Sequence, residues 1–264
     1  MSFETIRYEK KDHVGIVTLN RPERLNAVNV QMIMDLRQVM SEIENDDDVR
    51  VLMMTGAPRP DGRPCFCGGA DLKEGLPKIA AVTLEANEML NRIEEMLKPS
   101  IAVIDGVCTA GGIELVEACT FRLAAETAQI SDLHLKNIGT GIGAWGASTR
   151  LPRIVGTSRA KQLILTGGVL DGRKAERWGF ANEVFPSEKL MEGAMEFARA
   201  IAGMRPEGVK LTLAHMNLAE RMGLHDALDW AGLAEKYVGI SHPRAEVSKA
   251  FQEKRRVDFD GGKR

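Results

Sequence analysis

Apolar positions along this chain fall into short continuous runs and longer stripes at helical spacing, in alternation. Val14 to Leu19 (VGIVTL) is β-branched and apolar and predicts a strand, ended by Asn20-Arg21-Pro22. Asn29 stands as a capping residue before a stripe of Met32, Ile33, Leu36, Val39, Met40 and Ile43, a helix that Asn45-Asp46-Asp47-Asp48 ends. Val51 to Met54 predicts a second strand, closed by Thr55-Gly56, and the proline-rich Ala57 to Pro64 predicts a loop. Thr83 to Leu97 reads as a helix with Leu90, Ile93 and Leu97 on one face. Ile101 to Ile104 reads as a buried strand, Asp105-Gly106 as a turn, Ile113 to Cys119 as an apolar helical segment, and Phe121 to Ala125 as the next strand.

Further on, Arg159 to Leu165 and Arg173 to Trp178 predict helices, and Glu183 to Phe185 a short strand. From Ser187 the pattern is helical: Met191 to Ala202, Val209 to Met222, Ala227 to Tyr237 and Pro243 to Glu253. Strand, helix, strand is the rhythm of an α/β core with parallel pairing. A boundary is expected near Ile201, separating a core of residues 1–200 from a helical region of residues 201–264. The apolar faces of the last helices predict a partner subunit.

Composition narrows the function classes. Hydrophobic residues make up 44% of 264 positions, enough for a real core. A net charge of −2 gives no footing for a nucleic-acid partner or an anionic membrane. No apolar run is long enough to span a bilayer. The N-terminal MSFETIRYEKKD lacks the apolar core of a secretion signal. Cys65, Cys67, Cys108 and Cys119 have neither disulfide-framework nor CxxC spacing, so reduced thiols, a cytoplasmic location and no metal site are expected.

Two glycine-rich turns carry the candidate chemistry. In Ile101–Glu126 (IAVIDGVCTAGGIELVEACTFRLAAE), Ala110-Gly111-Gly112 leads from a strand into a helix. Glycine there admits close backbone approach, and a helix start aims free N–H groups at whatever faces it. Such donors suit a developing negative charge on a substrate oxygen. Glu114, in the first helical turn among apolar neighbours, reads as a capping carboxylate or as a catalytic acid/base. The second turn is Cys65-Phe66-Cys67-Gly68-Gly69-Ala70-Asp71-Leu72-Lys73-Glu74.

Together these two stretches resemble the crotonase (enoyl-CoA hydratase/isomerase) superfamily. The resemblance extends through Asn20-Arg21-Pro22-Glu23-Arg24-Leu25-Asn26-Ala27, Thr149–Gly156, Leu165-Thr166-Gly167 and Phe251-Gln252-Glu253-Lys254-Arg255, in family order over nearly the whole chain. It implies a ββα spiral core with a helical C-terminal trimerisation region, hence a homotrimer or a dimer of trimers. The implied substrate is an acyl-CoA thioester, with coenzyme A arriving as part of the substrate and no separate cofactor. By motif match the Ala70 and Gly111 N–H groups become the oxyanion donors, and Glu114 one of two glutamates that activate water. Arg24, Leu25, Gly68, Asp71, Lys73 and Lys254 fall at positions that bind coenzyme A or substrate in the family. Ile138–Gly146, with Trp145, falls where the family closes over the acyl group.

One departure stands out. The family's second glutamate lies twenty residues past the first, and that position here is His134, in Ile130-Ser131-Asp132-Leu133-His134-Leu135-Lys136. The following segment is two residues longer than usual, so Lys136 is an alternative occupant. On an extended segment Asp132 and His134 point to the same side. A histidine with a carboxylate neighbour can serve as acid or base near neutral pH; a polar edge without a role is the other reading. Three functions stay open. Hydration or dehydration of an α,β-unsaturated acyl-CoA with Glu114 as acid/base leads. Isomerisation, or hydrolysis of a β-oxoacyl or cyclic acyl-CoA through His134 and Asp132, is second. A non-catalytic acyl-CoA binder is third.

Overall fold

The computed structural model describes residues 3–241, 244–255 and 257. The chain divides into two compact units, Met1–Gly203 and Met204–Arg264. In the first, strands β1 (Ile6–Lys11), β2 (Val14–Leu19) and β3 (Val51–Gly56) are followed by β4 (Cys65–Cys67) and β5 (Ser100–Ile104). Then come β6 (Val107–Thr109), β7 (Phe121–Ala125), β8 (Gln129–Ser131) and β9 (Glu183–Phe185). Helix α1 (Val30–Asn45) precedes β3; α2 (Leu76–Ala81) and α3 (Thr83–Glu95) follow β4; α4 (Gly111–Glu117) follows β6. Helices α5 (His134–Ile138), α6 (Ala147–Val155), α7 (Thr157–Thr166) and α8 (Gly172–Trp178) separate β8 from β9, and α9 (Ser187–Ala202) closes the unit.

A six-stranded sheet runs β1-β2-β3-β5-β7-β9, parallel except for the β1–β2 pair, and a three-stranded parallel sheet runs β4-β6-β8. The strand pairs β3–β4, β5–β6 and β7–β8 each send their first strand to the large sheet and their second to the small one, and helices follow. That repeat is a ββα spiral.

Alternation across the large sheet explains why β3 and β5 read as unbroken apolar runs at residues 51–54 and 101–104. Val51, Met53, Ile101, Val103, Leu123 and Ala125 pack under α9 with Leu190, Ala194 and Ala198. Leu52, Met54, Ala102, Ile104 and Ala124 face the other way, into the main core. Successive strand residues point to opposite faces, and here both faces are covered. The stripe on α1 is wholly buried, each of its six side chains contributing about 1.5–3 kcal/mol of apolar burial. Asn29 Oδ1 accepts the Met32 N–H at 2.9 Å as the expected cap. At the other end, Lys98 Nζ donates to the Ile43 and Asp46 carbonyls at 2.6 and 2.7 Å.

Several elements lie outside the sequence expectation. Strands β4, β6 and β8 have three residues each, too few to show a period. β1 carries charged residues, as an edge strand does. Helix α3 stops at Glu95, so Met96 is buried and Leu97 is exposed. Helix α6 contains Pro152 and reads as a motif rather than a helix in sequence.

The second unit holds α10 (Pro206–Ala219), α11 (Leu224–Ser241) and α12 (Arg244–Gln252). Within it His215 stacks on Trp230, ring centroids 4.9 Å apart. Leu224, Leu228, Leu233 and Tyr237 are exposed on α11.

Candidate active site

The small sheet delivers two backbone turns to one cavity. Strand β6 leads through Ala110, at φ +49°, into α4. Alanine at that angle is strained, and strain of this kind gathers where a backbone must be aimed. β4 leads through Gly68-Gly69 to Ala70. The Val28 N–H donates to Gly69 O and the Asp71 N–H donates to Val28 O, both at 2.8 Å. This pairing brackets Ala70 and leaves its own N–H unused. Among the described residues neither the Ala70 nor the Gly111 N–H donates to a protein acceptor. A Cβ on Gly111 would lie 3.3 Å from Ala70 N and 2.6 Å from the Trp145 ring, so only glycine fits. Both residues line a cavity of about 210 Å³ together with Glu114, His134 and Trp145.

Inside this cavity Glu114 is 1% exposed. Its Oε1 accepts the Trp145 N–H at 2.9 Å and the Ala147 N–H at 3.1 Å. Its Oε2 lies 3.5 Å from His134 Nε2. On the far side of the ring, Nδ1 is 3.1 Å from Asp132 Oδ1 and 3.3 Å from Oδ2. Asp132 is fully buried, and its Oδ1 also accepts the His134 backbone N–H at 3.0 Å. Carboxylate, imidazole and carboxylate thus form one chain. Burial alone pushes the imidazole's pKa down, but its hydrogen bonds to Asp132 and Glu114 and their two negative charges outweigh that and lift it to about 10. At neutral pH His134 is an imidazolium.

Three sequence expectations change here. His134 opens helix α5 rather than sitting on an extended strand. It meets Asp132 because that carboxylate caps the α5 backbone, not because alternate strand residues share a side. It titrates far above neutrality, because two carboxylates hold its proton. Between the two candidates for the second position, His134 lines the cavity while Lys136 is exposed and does not.

Around the nucleotide-side positions, Gly68 lines the cavity and donates to Leu25 O at 2.8 Å; Leu25 is 37% exposed. Arg24 and Lys73 are exposed. Asp71, expected beside coenzyme A, is turned inward: it is 6% exposed and paired with Arg21 at 2.8 Å. Burial pushes this carboxyl up, but the hydrogen bonds from Arg21 and the Lys73 N–H, with the Arg21 and Arg24 charges, together outweigh it and hold the group below its ordinary pKa. Lys254 lies in the second unit and is exposed. Trp145 is buried at 5% exposure and lines the cavity, while its main chain serves Glu114. Leu72 and Leu133 also line the cavity, as do Ile79, Ala80, Thr83 and Asn137, which no sequence motif singled out. Ile79 sits in α2, a six-residue helix too short to show a stripe.

One turn beyond Glu114, Glu117 is 5% exposed, and among the described residues neither of its carboxylate oxygens has a hydrogen-bond partner. Burial, then the nearby Glu114 and Asp132 charges, push its pKa well above the ordinary 4.5. A raised folded pKa adds stability that is complete below about pH 4.5 and is lost as pH rises through the folded value. Glu117→Gln, which stays neutral, is expected to melt a few degrees above the native chain near pH 8, with the gap shrinking toward pH 4. Thermal unfolding across that range measures it; a gap independent of pH would show that Glu117 ionises normally.

A buried acid–base chain beside two free N–H groups, on a ββα spiral, defines a crotonase-fold protein. The chain belongs to the enoyl-CoA hydratase/isomerase family, whose sequence profile matches residues 9–262. It is 31% identical over 264 residues to the short-chain-enoyl-CoA hydratase of Clostridium acetobutylicum, covering 98% of both chains. It is 30% identical over 264 residues to the crotonyl-CoA hydratase of Syntrophomonas wolfei, covering 98% of this chain and 99% of that one. Among solved structures, an enoyl-CoA hydratase from Bacillus anthracis superposes with a TM-score of 0.89 at 31% identity, covering 98% of this chain and 100% of that one.

Proposed function

We propose that this protein is an enoyl-CoA hydratase, a lyase that adds water across the α,β double bond of an acyl-CoA thioester. The observation that carries the reading is the state of Glu114: Oε1 is held by two N–H donors, and Oε2 is left against His134 in the same cavity as the Ala70 and Gly111 N–H groups. In this reading the thioester carbonyl accepts from those two N–H groups. They stabilise the enolate oxygen, and loss of one donor costs on the order of 3 kcal/mol of barrier. Glu114 Oε2 takes a proton from water as the water oxygen bonds to Cβ. The electron pair of the double bond moves to the enolate, and the His134 Nε2–H gives its proton to Cα. The proton on Oε2 then returns to Nε2, 3.5 Å away, and the site is reset. Asp132 keeps the ring oriented throughout. The reaction forms one C–O and one C–H bond at the expense of the double bond with no net change of oxidation state, so the proposed steps call for no separate cofactor.

Exposed Arg24 and Lys73 meet the coenzyme A phosphates in this reading, with Leu25 and Gly68 along the thioester arm; Asp71 acts indirectly by holding Arg21. The assembly is a homotrimer or a dimer of trimers through the helices after Ile201, which would cover the apolar residues of α11. A cytoplasmic location accords with four buried free thiols.

The test is incubation with a panel of straight-chain and cyclic enoyl-CoA thioesters, read by mass. A gain of about 18 Da is expected from the addition of one water across the double bond. An unchanged mass with a moved double bond would mean isomerisation, and free coenzyme A would mean hydrolysis. In the same preparation, sedimentation as a 29.0 kDa monomer would remove the proposed assembly.

A further inference from the structure

The donors that hold Glu114 Oε1 lie where the Trp145 loop enters α6, and that junction is itself gripped from behind. Helix α3 presents Asn87, Asn91 and Glu94 at positions i, i+4 and i+7, along one face. Asn87 Nδ2 donates to the Ala144 carbonyl at 3.1 Å. Asn91 and Glu94 hold Arg150 of α6: Nη2 donates to Asn91 Oδ1 at 2.6 Å and to Glu94 Oε2 at 2.8 Å, and Nε donates to Glu94 Oε2 at 3.0 Å. The remaining arm, Nη1, donates to the Trp145 carbonyl at 2.8 Å. Arg150 is 8% exposed. Gly146, at φ +121°, leaves room for it: a Cβ there would sit 2.2 Å from Nη1.

We propose that Arg150 is a positioning residue for Glu114. Its guanidinium, anchored on α3, fixes the Trp145 carbonyl, so the Trp145 and Ala147 N–H groups stay aimed at Oε1 and leave Oε2 to the reaction. The planar fork is essential, because one group on α6 must reach three acceptors at once, two on α3 and one in the Trp145 loop. Without it the peptides around Trp145 are free to rotate, Oε1 loses donors, and the carboxylate samples orientations in which neither oxygen faces the water. Misplacement on this scale costs turnover rather than binding.

The kinetic part of this inference rests on the hydratase reading, so the experiment has two independent arms. In the first, Arg150→Met is expected to lower kcat roughly 10- to 100-fold with KM changed less than about twofold, and Arg150→Lys to recover only part of the loss. In the second, hydrogen exchange at the Trp145 and Ala147 amides is expected to quicken at least about 10-fold in Arg150→Met, with the Ile101–Ile104 amides of β5 unchanged. Asn91→Ala, which keeps Arg150 and removes one anchor, should show the same pattern on a smaller scale, and it decides the matter if Arg150→Met does not fold. Unchanged exchange at both amides overturns the proposal. So does faster exchange with native kcat, and so does a loss of protection that extends to β5 while Asn91→Ala behaves as the native chain. If the native protein turns over no thioester, the hydratase reading fails, and the exchange arm alone decides whether Arg150 positions the Glu114 donors.

Discussion

Glu114→Gln is expected to reduce turnover of an enoyl-CoA thioester by roughly 100-fold or more, the scale on which a positioned general acid–base group acts. Glutamine matches the carboxylate in size, and its amide oxygen can still accept the Trp145 and Ala147 N–H groups that bind Oε1. What it loses is Oε2, the oxygen 3.5 Å from His134 and the only one left to take a proton. An NH₂ group in that place offers water a donor where the reaction needs an acceptor, and it faces the imidazolium with another donor. Acyl-CoA binding is expected to change little, since Ala70, Gly111 and the apolar wall are untouched. Steady-state kinetics beside equilibrium titration of a saturated acyl-CoA separates the two effects. Full activity in Glu114→Gln would remove this residue from the chemistry and turn attention to a His134–Asp132 pair acting alone.

His134→Ala is expected to cost on the order of 100-fold in kcat, because it removes the acid for Cα and the group that reclaims the proton from Glu114. It also leaves Glu114 and Asp132 as buried carboxylates without the cation between them. The pH dependence identifies the role. As an acid, His134 works only while protonated, so kcat of the native protein should fall as pH rises through about 10. In the variant that alkaline limb should vanish. Stability follows the same sign: the folded pKa is raised from the ordinary 6.5 to about 10. The contribution of His134 to stability is therefore complete below pH 6.5 and is lost as pH climbs through about 10. Melting temperatures of the two proteins should converge across that window. An activity limb near neutrality that disappears with His134 would instead mean that the two carboxylates do not hold the proton.

Sequence by itself determined the α/β class, the long elements and the two glycine-rich turns that line the cavity. The reason is that these signals are local. Six apolar residues at helical spacing make α1, both-face burial makes β3 and β5 continuous apolar runs at residues 51–54 and 101–104, and turns too crowded for a Cβ show themselves as Gly68-Gly69 and Gly111-Gly112. Motif order was enough to bring forward Ala70, Gly111 and Glu114, and to show that a histidine stands where a second glutamate is usual. The three-residue strands of the small sheet left no period to read, since their partners are far away in sequence.

Only the tertiary structure decided what the histidine is. Its distance from Glu114 depends on how α4 and α5 meet, and its proton is held by two carboxylates that a linear reading can place no nearer than a guess at strand geometry. The inward turn of Asp71 toward Arg21, fifty positions away, is of the same kind. So is the grip of α3 on the Trp145 loop, where Asn87, Asn91 and Glu94 look in sequence like ordinary polar residues on a helix surface and Arg150 only like part of a motif. An acid–base site depends on directions and distances among groups from separate elements. Those are set by packing, and packing is fixed only when the sheets and helices close on one another.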